Sequence, residues 1–170
     1  YADTCANEVL EQLLDLRRRK VEGMLEQDAL FYAEQNARLA RNAEAYYRTM
    51  FAGRDESWNL RDTHMADTAD ALAEYLGRRY GTARMVIWAH NSHLGDARAT
   101  QMGDQGELNL GQLLRERHGK ETYNVGFTTY SGTVIAAREW DMPGLRRRVR
   151  PALGGSYEAL FHEVGLPGFL

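Results

Sequence analysis

The hydrophobic positions in the first half of the chain recur at helical spacing. Val9 to Leu25 predicts one helix, and Leu30 to Phe51 predicts a second, with an alanine-rich stripe that permits close packing. A polar break over Gly53 to Trp58 precedes a third predicted helix, which starts near Asn59. The first half is therefore expected to be helical.

The apolar run from Met85 to Ala89 has the length of a strand and no polar alternation. Such a run predicts a strand buried on both faces, as in a parallel sheet covered by helices. Leu110 to Leu114 indicates a short helix, Tyr123 to Tyr130 a second strand, and Thr133 to Ala137 a candidate hairpin partner for it. We expect an α/β fold with helices packed around a small, largely parallel sheet.

The last part of the chain is predicted to be mostly surface structure. Met142 to Gly155 contains two of the three prolines and the basic run Arg146 to Arg150, and is expected to be a long connection. Ser156 can cap a final short helix containing Tyr157 to Val164. With no internal repeat, residues 1–170 are expected to form a single domain or a fragment of one.

Composition narrows the range of partners. A chain of 170 residues can bury a core, and its net charge of −3 gives no broad attraction to nucleic acid or acidic membranes. No apolar stretch approaches the ~20 residues that cross a bilayer, and no signal-peptide pattern is present, so we expect a cytoplasmic protein. The single cysteine forms no disulfide within the chain. Because there is no initiator Met, we also expect a piece of a longer protein.

His90 and His93 directly follow the predicted central strand. In open α/β sheets, ligands bind beyond the carboxyl ends of the strands. Histidine exchanges protons near neutral pH, so the pair could divide the roles of base and oxyanion donor, with the Asn91 amide as a further donor. Zinc held by both imidazoles with Asp62 or Asp96 is a competing hypothesis, and a purely structural role is another.

Two further sets of polar residues are candidates. Arg61 and Asp62 predict either a helix cap with a surface ion pair or a fixed cation for a substrate oxygen. Ser156, Glu158 and His162 form the other set, in which Glu158 and His162 share a helix face, and a structural role is the alternative. The sequence contains no Gly-x-Ser-x-Gly, P-loop or dinucleotide motif, and no cofactor is predicted.

Five separate elements occur in the order found in the erythromycin esterase family, which the chain resembles from about Asn36 to its end. They are Arg61-Asp62 with Met65; Trp88-Ala89-His90-Asn91-Ser92-His93; Gly103; Val125-Gly126-Phe127 with Gly132; and Ser156-Tyr157-Glu158 with Phe161-His162. The Ala-His-Asn-x-His element is the most specific of the five. The chain therefore resembles the later part of an erythromycin-esterase-like domain.

The resemblance implies an α/β hydrolase-like enzyme that opens esters with water and forms no covalent acyl-enzyme. The erythromycin macrolactone is the best-known substrate, which adds macrolide resistance to the expected roles. By this resemblance His90 and His93 are catalytic. Substrate binding is assigned to Arg61, Asp62, Asn91, Ser156, Glu158 and His162, and no metal is assigned. A small-molecule ester, with macrolides as the first candidates, is the expected partner.

One departure from the family pattern weakens this expectation. The Gly-Glu-x-x-His-Gly motif, which supplies the proposed general base in the family, does not occur in these 170 residues. The resemblance therefore implies a half-built site within a protein more than twice as long. A non-catalytic binding module of the same fold and a metal-dependent hydrolase using His90 and His93 remain alternatives. An exposed sheet edge on such a fragment would favour self-association.

Overall fold

A computed structural model describes residues 27–50, 54–139 and 141–168, together with a few residues near the start of the chain: Glu8, Glu11, Gln12, Leu14, Asp15, Arg18 and Arg19. The predicted helix Val9 to Leu25 lies mostly outside the described residues. The chain divides into two compact units, Tyr1–Val125 and Gly126–Leu170, which are described separately.

Two long helices form the body of the first unit. Helix α1 is Gln27–Thr49, which confirms the helix predicted from Leu30 to Phe51, and helix α2 is Arg54–Tyr80. They pack in antiparallel directions, because Phe31 stacks on Tyr75 with ring centroids 4.1 Å apart while Asn42 donates to Nδ1 of His64 over 2.8 Å. Acidic residues in each first turn and arginines in each last turn complement the helix dipoles.

Helix α2 begins five residues earlier than the sequence analysis placed it. The expected polar break over Gly53 to Trp58 is wrong, because Arg54 already belongs to the helix. Asp55 and Glu56 lie in its first turn, where negative charge is favourable. Asp62 is consequently inside the helix and fully buried, so its interpretation as a cap with a surface ion pair is also wrong.

Short helical turns follow the segment Met85 to Ala89. Helix α3 is Asn91–Leu94, a 3₁₀ turn covers Ala97–Ala99, and helix α4 is Gln101–Asp104. Helix α5, Leu110–His118, confirms the short helix predicted there, and a second 3₁₀ turn covers Gly119–Glu121. The 3₁₀ turn Ala97–Ala99 and helix α4 form because the side chains of Asp96 and Thr100 accept hydrogen bonds from backbone N–H groups two residues ahead.

The predicted central strand is not formed. Met85 to Ala89 has no strand assignment, and Val86 and Trp88 are 91% and 83% exposed. Tyr123 to Tyr130 is likewise not a strand, and Tyr123 is 90% exposed. Both predictions are wrong for one reason: a strand requires a neighbouring strand to pair with, and the described part of the chain supplies none at these segments.

The second unit contains an antiparallel hairpin of strands β1, Gly132–Ala136, and β2, Leu145–Val149. The mixed α/β class is confirmed, but the expectation of parallel strands is wrong. Residues 133–136 of the predicted hairpin strand pair with residues 145–148 in the predicted surface connection, and not with Tyr123 to Tyr130. The basic run can form a strand because Arg147 and Val149 are half-buried while the alternate arginines face solvent.

The second unit ends in helix α6, Tyr157–Glu163, which confirms the last predicted helix. Its N-terminus is capped as expected, since Oγ of Ser156 accepts from the backbone N–H of Ala159 over 3.3 Å. In the described part of the chain, no helix combines the length and the apolar character that a membrane span requires.

Candidate active site around the His90–His93 turn

A buried carboxylate holds one of the two histidines. Asp62 on α2 is 0% exposed, and its two carboxylate oxygens each lie 2.9 Å from Nδ1 of His93. Oδ2 of Asp62 also accepts from the backbone N–H of Leu110, 2.9 Å away at the start of α5. A buried carboxylate requires such donors, because desolvation without them is costly. Asp62 therefore joins α2, the His93 turn and α5.

An indole ring covers the imidazole of the same histidine. Trp58 and His93 are stacked, with centroids 4.7 Å apart and planes 6° from parallel. The indole Nε1–H donates to the carbonyl oxygen of Leu108 over 2.7 Å, and the Arg61 guanidinium lies over the indole at 4.8 Å from its centroid. Trp58, Arg61 and Asp62 contact this site from one side of α2 because they are three and four residues apart.

Asn109 fixes the backbone of the histidine turn. It is 1% exposed, and its Nδ2 donates to the carbonyl oxygen of Ser92 over 3.0 Å. Its Oδ1 accepts from the backbone N–H groups of Ala97 at 3.3 Å and Gln112 at 2.9 Å. One buried amide thus satisfies three backbone groups on three segments, which holds the turn between His90 and His93 in place.

The segment before α5 is bonded to α2, and α5 itself lies very close to α3. Asn59 on α2 accepts from the N–H of Leu108 at 2.8 Å and donates to the carbonyl oxygen of Gly106 at 2.9 Å. At Gly111, a Cβ atom would lie 2.2 Å from the carbonyl oxygen of Leu94. Only glycine permits this separation, so Gly111 sets the distance between α5 and α3.

The two histidines have different hydrogen-bond partners, which assigns opposite neutral tautomers to them. Nδ1 of His90 accepts from the backbone N–H of Ser92 at 3.2 Å and lies 3.0 Å from Oγ of Ser92, whose hydroxyl can donate to the same atom. A neutral His90 therefore carries its proton on Nε2. Nδ1 of His93 faces the Asp62 carboxylate, so a neutral His93 carries its proton on Nδ1 and presents Nε2 as an acceptor. His90 is exposed, and the His93 side chain is 19% exposed.

A family comparison matches the whole chain. The model of the family described as Erythromycin esterase covers residues 1–170. The chain belongs to the erythromycin esterase family.

A curated relative supports the same assignment. The Bacillus subtilis (strain 168) protein named "Putative hydrolase YbfO" is 31% identical over 116 residues, which is 66% of this chain and 25% of that protein. The matched region thus spans about a quarter of the relative's length. No solved structure matches the chain.

The residues expected at the site of this family member fall into two groups. Arg61, Asp62, His90, Asn91 and His93 all lie in the first unit, and the structure brings Arg61, Asp62 and His93 together around Trp58. Asn91 is the first residue of α3, directly after His90. The other three, Ser156, Glu158 and His162, lie in the second unit.

In the second unit, these three residues hold α6 and a preceding segment together. Ser156 is the N-cap, and Glu158 accepts from Oγ1 of Thr128 over 2.6 Å. This hydrogen bond lowers the pKa of Glu158 below its ordinary value. The His162 ring stacks on Tyr130 with centroids 3.7 Å apart. Each of the three therefore has a structural role within the unit.

A zinc site receives no support from the geometry. Among the residues that the structure describes, no group of three or more His, Cys, Asp or Glu side chains could hold a metal ion. Asp96, one of the carboxylates considered for such a site, instead accepts from Nε and Nη2 of Arg98 at 2.9 and 2.6 Å. The Arg98 guanidinium lowers the pKa of Asp96 below its ordinary value.

The sequence analysis missed Trp58 and Asn109. Trp58 was placed in a polar break, although it stands four residues before Asp62 and so would share its side of any helix that continued through both. Asn109 is one residue before a predicted helix, the position where an Asn commonly caps. Its additional bond to Ser92 joins distant parts of the chain, and local sequence contains no signal for it.

Proposed function

We propose that this chain carries the histidine part of a hydrolase that cleaves an ester by direct attack of water. The contact between Asp62 and His93 is the observation that carries the proposal. A buried carboxylate on Nδ1 holds the imidazole in the tautomer whose Nε2 can accept a proton. Membership of the erythromycin esterase family and the name of the Bacillus subtilis relative support hydrolysis as the reaction class.

The opposite tautomers give the two histidines different tasks. Nε2 of His93 takes a proton from water as the water oxygen forms a bond to the ester carbonyl carbon. The carbonyl oxygen becomes an oxyanion, to which Nε2–H of His90 donates a hydrogen bond. When the tetrahedral intermediate collapses, the bond to the leaving alcohol oxygen breaks and His93 returns its proton to that oxygen. Asp62 keeps its hydrogen bond to Nδ1–H throughout and stabilises the imidazolium.

The substrate is proposed from the family. A macrolactone of the erythromycin type is the first candidate, which would give the protein a role in macrolide resistance in the cytoplasm. Arg61 and Asn91 are the residues we propose for orienting the ester, since both adjoin the histidines in the first unit. Substrate binding by Ser156, Glu158 and His162 stays a prediction, because their observed contacts are structural.

The test is to incubate the purified protein with erythromycin and, separately, with a simple aryl ester, and to follow products by mass spectrometry. We expect the macrolide to gain the mass of one water molecule. His93→Gln and His90→Gln should each reduce the rate by about 10²-fold or more, while the matched control His118→Gln should leave it unchanged. A covalent acyl adduct on the protein, or equal rates in all variants, would contradict the proposal.

A binding module of the same family is the second candidate. Titration calorimetry with erythromycin separates the two candidates. Saturable heat with no change in macrolide mass after long incubation would select the binding module, and hydrolysed product would exclude it.

A further inference from the structure

We propose that Trp58 is a positioning residue for His93, and that its indole face fixes the imidazole plane so that Nε2 keeps one direction. The inference rests on the proposed role of His93 as the base and deepens it. Trp58 belongs to none of the elements by which the chain resembles its family, and it emerges from the geometry alone.

The hydrogen bond to Asp62 does not hold the imidazole by itself. Both carboxylate oxygens lie at 2.9 Å from the same atom, Nδ1, so the ring can still tilt about that attachment and swing Nε2 away. Parallel stacking on Trp58, with only 6° between the planes, removes this tilt. A carboxylate on one edge and an indole on one face together define the position of Nε2.

The indole can perform this task because it is itself fixed at both ends. Its backbone belongs to α2, and its Nε1–H donates to the carbonyl oxygen of Leu108 over 2.7 Å. The N–H of Leu108 in turn donates to Oδ1 of Asn59, one residue after Trp58. A ring held in this way cannot rotate to follow a moving imidazole.

The same contact favours the reaction electrostatically. When His93 takes a proton from water, the new cation lies against the negative face of the indole. Charged groups nearby act in both directions: Asp62 stabilises this cation, whereas Arg61 also lies over the indole at 4.8 Å and carries a like charge. Two further titratable residues belong to these elements: His90 lies on the same turn as His93, and Glu107 is buried on the segment before α5.

Three variants separate the stacking from simple packing. Trp58→Phe keeps an aromatic face and loses only the donor to Leu108, whereas Trp58→Leu fills space without a ring. Trp58→Met gives the same comparison if Trp58→Leu does not fold. Tyr123→Leu is the matched control, because it removes another aromatic ring, at a residue that is 90% exposed.

The first measurement follows the mobility of the His93 imidazole by NMR relaxation of its ring Cε1–H group and needs no substrate. We expect this group to be rigid in the wild type, in Trp58→Phe and in Tyr123→Leu. Trp58→Leu should make it clearly more mobile without changing the tautomer, because Asp62 still accepts from Nδ1 while the ring tilts. Wild-type rigidity in Trp58→Leu would overturn the proposal, as would an equal loss of rigidity in Trp58→Leu and Trp58→Phe, which would assign the effect to the bond with Leu108.

The second measurement is turnover of the ester. Trp58→Leu should lower kcat by about tenfold to a hundredfold with little change in KM, because a misdirected base slows the chemical step and leaves ground-state binding intact. The two measurements fail independently. A more mobile ring in Trp58→Leu without any hydrolysis by the wild type would overturn the proposed function alone, and hydrolysis with unchanged ring mobility in Trp58→Leu would overturn the role of Trp58 alone.

Discussion

Both carboxylate oxygens of Asp62 lie 2.9 Å from Nδ1 of His93, which is 31 residues further along the chain. The same carboxylate accepts from the N–H of Leu110, so a single buried group connects α2, the histidine turn and the start of α5. Structure and proposed chemistry therefore depend on the same side chain.

Replacing Asp62 should lower the unfolding free energy of the protein and change the tautomer of His93. In Asp62→Asn, an NH₂ group replaces one carboxylate oxygen and faces a donor, Nδ1–H of His93 or the N–H of Leu110, so the site loses a charge-assisted hydrogen bond at a cost of about 1–3 kcal/mol. We expect that loss in urea denaturation, together with a shift of the His93 proton toward Nε2 in ¹⁵N spectra. Asp67→Asn, at an exposed ion pair with Arg117, should change the unfolding free energy by less than about 1 kcal/mol. Equal effects of the two substitutions would contradict the account.

The spacing between α5 and α3 gives a second prediction. Gly111→Ala would place Cβ at 2.2 Å from the carbonyl oxygen of Leu94, so the helices must move apart at a cost of about 1–3 kcal/mol. Gly77→Ala in α2 is the matched control, because nothing lies within 4 Å of its Cβ. It should stabilise the helix by up to about 1 kcal/mol in thermal or chemical denaturation. If the two variants are equally stable, the close approach at Gly111 does not exist.

Asn109 should prove necessary as an acceptor more than as a donor. Asn109→Ala leaves the N–H groups of Ala97 and Gln112 without their side-chain partner and should cost about 1–3 kcal/mol of unfolding free energy. Asn109→Ser keeps a capping acceptor for the N–H of Gln112 and loses the bond to Ser92, so it should lie between Asn109→Ala and the wild type. Chemical denaturation measures the order, and wild-type stability in Asn109→Ala would refute it.

Acid should weaken the contact between α1 and α2. Burial lowers the pKa of His64 below its ordinary value of 6.5, with Arg41 acting in the same direction and Asp67 opposing it. A lowered pKa in the folded state means that the unfolded chain binds the proton more readily. The stability contribution is therefore complete above pH 6.5 and is lost as the pH falls below that value toward the folded pKa.

The test compares wild type with His64→Gln, which cannot titrate and retains an acceptor for Asn42. Urea denaturation as a function of pH should show a steeper loss of stability below pH 6.5 in the wild type than in the variant. Parallel pH profiles would show that His64 does not contribute.

Local signals predicted the parts of the fold that local interactions determine. Helices α1, α5 and α6 follow from hydrophobic spacing, and Ser156 was identified as a cap because its oxygen serves an N–H three residues away. The strand predicted at Met85 to Ala89 failed because pairing depends on distant segments. The β2 strand was missed because its arginines resemble a solvated loop, and only its partner β1 reveals the alternation.

The candidate site was predicted in the same uneven way. His90 and His93 stand out because two imidazoles follow an apolar run. Asp62 was considered beside the imidazoles only as a zinc ligand, because the start of α2 was placed near Asn59, which left Asp62 close to a helix end and Trp58 outside the helix. With the correct start, the four-residue spacing from Trp58 to Asp62 puts both on one side of α2.

The opposite tautomers of the two histidines are the central claim, and long-range ¹H–¹⁵N correlation spectra of the ¹⁵N-histidine-labelled protein test it most directly. Above the titration range of histidine, the account predicts that His93 carries its proton on Nδ1 and His90 on Nε2, because Asp62 accepts from the first ring and Ser92 donates to the second. The same tautomer on both rings, or rapid exchange at His93, would contradict the division of base and oxyanion donor between them.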